Sequence, residues 1–361
     1  MKKITLLNAK YFFVDHIYSP ITKWHKEGLL RKKIKGLLKI RPQNRLSASQ
    51  QKEVTLFYQK LGIDKINTSW HRFYSGCNGQ FSPAYVPENL FYINIEPKTS
   101  VENYVSALGD KNLLDILFGA AKQPETIFKN MNGFLYHNNE LISMSEAIEL
   151  CNTSETLFIK PTTATWGGKN VRSFSSEKGI TDKGNGIEEL FAKYKKNYIV
   201  QKKVIQHESM SALNATSLNT FRIMSYLNEN EVTILSTIVR MGKTGSVTDN
   251  GTTGGISCGV QSDGSLNKVG FQLSGESILE TDSGIKFADI KVPFVEKMKQ
   301  TVKTLHKISP FFKIISWDLA IDNMGDVILI EYNIDGQGIN IHQLNNGPVL
   351  APLLNEIKNN G

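Results

Sequence analysis

The chain has 361 residues, 40% of them hydrophobic and 21% charged, which is enough for two or three domain-sized units with real cores. No run approaches the ~18 apolar residues of a membrane span and the first residues lack a sustained signal-like apolar stretch, so neither an integral-membrane nor an exported protein is expected. Cys77, Cys151 and Cys258 are an odd number at wide spacing, which leaves no disulfide framework or CxxC metal site and suits a reducing cytoplasm.

The net charge of +8 is concentrated in residues 1–46, which carry 12 Lys and Arg against 2 Asp and Glu, while the remainder carries 30 against 32. Within this segment Leu30, Ile34, Leu37 and Leu38 recur at helical spacing with cations around them, predicting a basic amphipathic helix over 21–41 that Pro42 closes. Two readings stay open for it: a helix docked on the body of the protein, or peripheral contact with an anionic bilayer such as an inner membrane surface. Nucleic acid is disfavoured, because the stacking platforms and modules of such proteins are absent from the sequence.

Ser47–Leu61 has helical periodicity, and residues 67–87, rich in Tyr, Phe, Gly, Asn and Ser, read as loops and short strands. Residues 109–118 read as a helix with Asp110 near its start, and a boundary is expected near Pro124. Short β-rich runs follow at Leu157–Lys160, Val171–Phe174 and Tyr198–Gln201, then longer ones at Thr220–Leu227, Val232–Arg240 and Val327–Tyr332, with a helix over Val292–Ile308. Strands in runs with few helices predict an α+β fold.

The sharpest constellation is Ile315–Asp322, a turn at Asn323–Asp326, and Val327–Asn333. It predicts a hairpin in which period-2 alternation puts Glu331 and Asn333 on one face and the partner strand brings Asp318 beside them. Such oxygen ligands suit Mg²⁺, which takes one or two carboxylates plus phosphates, although a hairpin with solvated carboxylates would look similar in sequence. Lys160 ends an apolar strand and is followed by Gly167 and Gly168, the makings of a phosphate cradle or simply of a hairpin turn. Arg222 and Arg240 lie on strands that otherwise read as buried, so each needs an anion, supplied by a ligand or by a structural salt bridge.

Taken together, from Arg45-Leu46-Ser47 to Asn333 and most strongly from Lys160-Pro161 onward, the chain resembles the ATP-grasp superfamily, and within it the sugar-transfer-associated proteins of cell-surface polysaccharide synthesis. Glu331 stands thirteen positions after Asp318 and Asn333 two further on, similar to the superfamily's Asp/Glu/Asn pattern. The resemblance implies two α+β subdomains clamping ATP, at 125–205 (the lid) and 206–361 (with the metal site), preceded by an N-terminal domain at 47–124 and the basic segment 1–46. It implies that Asp318, Glu331 and Asn333 hold Mg²⁺, that Lys160 and Lys111 hold ATP phosphates beneath a Gly167–Gly168 lid, and that Gln201, Lys202 and Val204 belong to a hinge reading adenine. Glu208 would take the ribose, and Arg222 and Arg240 would face the transferring phosphate. Lys111 reads equally as a surface lysine at a helix start, and an acidic residue is usual where Gln201 stands. The polar loop 247–257 is expected to help form an acceptor pocket unless it is a plain surface turn, and His342 and Asp335 lie close enough in sequence to reach it. The implied chemistry is ATP-dependent joining of a carboxylate to an amine, with a sugar acid or amino acid, free or lipid-linked, and an amino donor as partners. The same machinery would serve a kinase acting on a sugar or amide, and without turnover the chain would be a binding protein docked on a membrane or polymer by its basic helix.

Overall fold

The computed structural model describes residues 19–163, 170–229, 231–246, 248–249, 251–354 and 356. The chain divides into two compact units, Met1–Thr99 with Asn346–Gly361, and Ser100–Asn345. Among the described residues no helix is long and apolar enough to cross a membrane.

The first unit is helical. It contains α1 (Ser19–Lys39), α2 (Ala48–Gln59) and α3 (Ser69–Asn78). Ser47 starts α2 with a reciprocal cap: its hydroxyl accepts from the Gln50 amide and the Gln50 side chain accepts from the Ser47 amide. Helix α3 corrects the expectation of loops and strands at 67–87. Trp70, Phe73 and Tyr74 sit at i, i+3 and i+4 on one buried face, and Gly79 ends the helix at φ +73°. Helix α1 buries Ile34, with Leu30, Leu37 and Leu38 partly covered around it. Its Lys33 reaches the fully buried Glu88 at 2.7 Å and lies over the Trp70 ring. The predicted apolar stripe therefore docks on the first unit.

The second unit is a mixed α+β body built on two antiparallel sheets. After α4 (Glu102–Leu108), the first sheet is made by β1 (Thr126–Met131), β2 (Phe134–His137), β3 (Glu140–Ile142), β4 (Thr153–Pro161), β5 (Arg172–Glu177), β6 (Ile180–Thr181) and β7 (Tyr198–Lys202), in the order β3-β2-β1-β7-β4-β5-β6. Helices α5 (Met144–Leu150) and α6 (Ile187–Tyr194) lend apolar side chains to a core of Phe128, Leu157, Ile159, Phe191 and Val200.

Helix α7 (Glu208–Ser211) then leads to β8 (Thr220–Asn228), β9 (Glu231–Met241), β10 (Ile256–Val260), β11 (Leu266–Phe271) and β12 (Ser277–Ile278). Helix α8 (Val295–His306), β13 (Ile314–Ile321), β14 (Val327–Asn333) and α9 (Ile339–Asn346) complete the unit. The second sheet runs β12-β11-β10-β9-β8-β13-β14. Val295, Met298, Val302 and Leu305 give α8 one apolar face, which joins the core with Trp317, Tyr332 and Phe118. Trp317 stacks on Tyr332 at 5.8 Å between centroids, and Phe118 meets both rings edge-on. Residues 126–142, for which no strand is predicted above, form three strands, the first two joined by a turn at Asn132-Gly133; buried Lys129 and Asn130 interrupt the alternation there.

Candidate active site

The β13–β14 hairpin forms with Asp318 directly opposite Glu331, and Ser316 opposite Asn333. On the other side of β13, Asp318 pairs in register with Arg222 of β8, and Thr220 pairs with Arg240 of β9. Directly opposed residues share a sheet face and so do residues two apart, so Arg222, Asp318 and Glu331 form one cross-strand row, with Thr220, Arg240 and Asn333 beside it. Arg222 grips Asp318 with both arms of its guanidinium, Nε to Oδ1 at 2.8 Å and Nη2 to Oδ2 at 2.7 Å. Arg240 Nη2 adds a third cationic contact to Oδ2 at 3.1 Å, lies 3.2 Å from Asp249 and donates to the Thr220 hydroxyl. That hydroxyl also donates to Asp249.

Burial alone would raise the Asp318 carboxyl, but Arg222 and Arg240 outweigh it and hold the group below the usual carboxylate range. Burial disfavours the Arg222 charge, and Asp318 more than compensates, so Arg222 stays protonated. The salt bridges anticipated for both arginines thus exist, and the arginines also line a cavity of about 590 Å³.

Lys111 lines the same cavity and pairs directly with Glu331 at 2.9 Å, its side chain only 13% exposed. It is not a surface lysine. The Asp110 side chain accepts from the Asn112 amide, and buried Asn112 ties this turn to the first sheet by donating to Asn130 O and to the Thr162 hydroxyl. Lys160, at the end of β4, completes the cluster. Burial pushes its ammonium down to about 8, Glu331 opposing the shift and Lys111 adding to it.

The strap after β7 joins the two sheets. Gln206 bridges to Asp322, His207 N donates to Ile321 O at 3.0 Å, and the Gln206 side chain is held by Asn214, Ser217 and Asn219. Gln201 and Val204 line the cavity, Gln201 donating its amide to Pro124 O and Thr126. Lys202 lines it too, but its ammonium points to Glu125 and Glu155.

Several candidate residues are not assembled here. Because Gln206 and His207 pin the strap to the end of β13, the chain turns into α7 and leaves Glu208 exposed and off the cavity. Gly167 and Gly168 lie outside the described residues. Asp335 is exposed, and neither it nor His342 lines the cavity; His342 is fully buried, donates to or accepts from the Ser236 hydroxyl at 2.9 Å, and is pushed by burial down to about 3. Of the polar loop, Thr248 and Asp249 line the cavity, whereas Ile256 and Ser257 belong to buried β10; Val247 and Asn250 lie outside the described residues. Cys258 is buried, its thiol pushed up to about 12, and so is no nucleophile. Thr220, Asn112 and Gln206 carry no sequence signal of their own; only the pairing of strands far apart in the chain reveals them.

Among the described residues no three His, Cys, Asp or Glu side chains converge as a metal site. Asp318, Glu331 and Asn333 nonetheless fit Mg²⁺, which needs only one or two protein carboxylates beside substrate phosphates. Asn333 donates its amide to Ser316 O at 3.0 Å and lies 3.4 Å from Asp318, which orients its carbonyl oxygen as the remaining donor.

The model of the family described as sugar-transfer associated ATP-grasp matches residues 93–359. Similar solved structures include the ADP complex of N5-carboxyaminoimidazole synthetase from Staphylococcus aureus (10% identity, TM-score 0.40, 71% of this chain and 54% of that one). An L-amino acid ligase from Bacillus licheniformis (15%, 0.39, 69% and 48%) and the VanG D-Ala:D-Ser ligase from Enterococcus faecalis (11%, 0.41, 69% and 60%) are others. The chain thus spans about half to three-fifths of the length of these proteins. No curated protein matches it.

Proposed function

Because the chain belongs to the sugar-transfer associated ATP-grasp family, we propose that it is an ATP-dependent ligase that joins a carboxylate to an amine through an acyl phosphate. The observation that carries the reading is the row of Arg222, Asp318 and Glu331 lining one cavity with Lys160 and with Lys111, which pairs with Glu331. Phosphoryl transfer needs in-line positioning and neutralised charge more than a covalent nucleophile on the protein, and this cavity supplies four cations and a hard-oxygen set. Lys111 and Lys160 hold the triphosphate, and the strap at Gln201–Val204 cradles the base, Lys202 through its backbone. Asp318, Glu331 and Asn333 hold Mg²⁺, which neutralises and orients the phosphates when bound.

In this reading an acceptor carboxylate oxygen bonds to the γ-phosphorus as the bond to ADP breaks. The amine nitrogen then bonds to the acyl carbon, phosphate leaves, and the amine gives up a proton. Arg222 and Arg240 stabilise charge on the transferring group. The family's association with sugar transfer supports a sugar acid, or an amino acid destined for a surface polysaccharide, as the carboxylate.

The test is product analysis. Purified protein with ATP and Mg²⁺ is screened against sugar acids and amino acids, each with an amine donor, following ADP and the acceptor's mass. A condensed product with free phosphate supports the ligase. Phosphate retained on a hydroxyl or amide makes the protein a kinase, and absence of ADP release despite nucleotide binding makes it a binding protein; either outcome overturns the reading.

A further inference from the structure

Helix α1 has a second face that the docked stripe does not use. With Ile34 turned inward, 3.6 residues per turn place Ile21, His25, Leu29, Lys32 and Lys39 on the opposite side, with Trp24 and Lys35 at its edge. All are exposed, and for the large apolar ones the degree matters: Trp24 is 78% exposed, Ile21 58% and Leu29 55%. A helix packed only by its Leu and Ile stripe would carry polar residues there.

The charges of the helix sort in the same way. Lys33 and Arg31 are matched by Glu88 at 2.7 Å and Glu27 at 2.9 Å, and Lys26 approaches Glu96 at 4.0 Å. Lys32, Lys35 and Lys39 make no ion pair among the described residues, and Glu27, the helix's only acid, is spent on Arg31. The outward face thus holds an apolar wedge in its N-terminal half and uncompensated lysines in its C-terminal half.

We propose that this face of α1 lies on a membrane surface rich in anionic lipid, with Ile21, Trp24 and Leu29 entering the headgroup boundary and Lys32, Lys35 and Lys39 meeting lipid phosphates. Charge complementarity selects an anionic surface, and the exposed Ile and Leu, which a phosphate backbone gives no apolar surface to meet, favour lipid over nucleic acid. The docked stripe and the Lys33–Glu88 pair hold the helix flat on the first unit, so its outward face is presented without unfolding.

The experiment is co-sedimentation of the full chain with vesicles of phosphatidylcholine alone or mixed with phosphatidylglycerol, at low and high salt. The expected result is sedimentation with the mixed vesicles only, weakened by salt. The triple variant Lys32→Glu, Lys35→Glu, Lys39→Glu should bind at least roughly a hundred-fold more weakly, each surface lysine being worth roughly five-fold in affinity. Trp24→Ser should weaken binding roughly ten-fold or more through lost apolar burial. Both variants should keep the native circular dichroism and denaturation midpoint, since neither touches the docked side.

No sedimentation of the native chain with mixed vesicles overturns the proposal, as does binding indifferent to both variants. Salt-sensitive binding to duplex DNA without vesicle binding reassigns the face to nucleic acid. A dimer in analytical ultracentrifugation that Trp24→Ser abolishes, again without vesicle binding, reassigns it to a second copy of the chain.

Discussion

Lys160 carries a charge that its surroundings oppose, and replacing it separates stability from function. Its ammonium lies at about 8 against 10.5 for a free lysine. That difference corresponds to about 3 kcal/mol of native-state cost at neutral pH, reduced to about 2 kcal/mol by the water that still reaches the partly exposed side chain. Lys160→Met removes the cost, so the variant should unfold in urea with about 2 kcal/mol more stability at pH 7, raising the melting temperature by roughly 4–8 °C. The sign fixes the pH dependence. Below about 8 the lysine is charged in both folded and unfolded chains and the full cost is present; between 8 and 10.5 only the unfolded chain keeps the proton, so native stability rises with pH. The gap between variant and native chain should therefore close as pH rises through that window. The same variant should bind ATP more weakly, having lost a phosphate contact. Equal or lower stability of Lys160→Met at pH 7, with an unchanged slope between pH 8 and 10, would refute the argument that Lys160 is held charged against its environment for a ligand.

Three further outcomes follow from the same geometry. Asp318→Asn leaves Arg222 and Arg240 facing each other across a buried site and should cost about 3–5 kcal/mol in urea unfolding. In the native chain that contribution should be present above the ordinary carboxylate range and be lost as pH falls through the depressed Asp318 value, a limb the variant should lack. Gly338→Ala adds a methyl 3.3 Å from Arg222 Nη1 at a residue with φ +70°, whereas Gly284→Ala meets nothing within 4 Å at φ +80°. Both should pay about 1 kcal/mol for the left-handed backbone, but only Gly338→Ala should also lower the turnover of ATP. Phe118→Ala, emptying the contact with Trp317 and Tyr332 beneath β13 and β14, should cost about 3–5 kcal/mol by thermal or urea unfolding.

The features legible in the sequence were those written locally. Val327–Asn333 opens on an apolar run and its partner lies one short turn away, so the hairpin is local, but the pairing of Asp318 with Glu331 depends on a bulge between Asp318 and Leu319 that shifts the register by one. Helix α8 shows its apolar face every three to four residues. The aromatic run in α3 hid a helix because Trp, Phe and Tyr favour strands and a glycine sits among them. Buried Lys129 masked β1, since its partners, the Asp115 carboxylate at 2.5 Å and Asn112 O at 3.0 Å, lie outside the strand. The grip of Arg222 on Asp318 spans 96 positions and is set by strand order, which no local pattern encodes. The chain divides between Thr99 and Ser100, and residues after that division bond within the second unit: Val101 N donates to Phe311 O, and Leu329 N donates to Lys122 O. The resemblance implies a ribose contact for Glu208, whereas the Gln206 and His207 contacts turn the strap before it and leave it exposed.

In the proposed function one cavity holds ATP with Mg²⁺ among Lys111, Lys160, Asp318, Glu331 and Asn333. Calorimetric titration of ATP into the native chain, with and without Mg²⁺, and into Glu331→Gln tests it most directly. The account predicts Mg²⁺-dependent binding to the native chain, with most of the Mg²⁺ dependence lost in Glu331→Gln. Absence of binding to the folded native chain, or an affinity indifferent both to Mg²⁺ and to the loss of the Glu331 carboxylate, would contradict it.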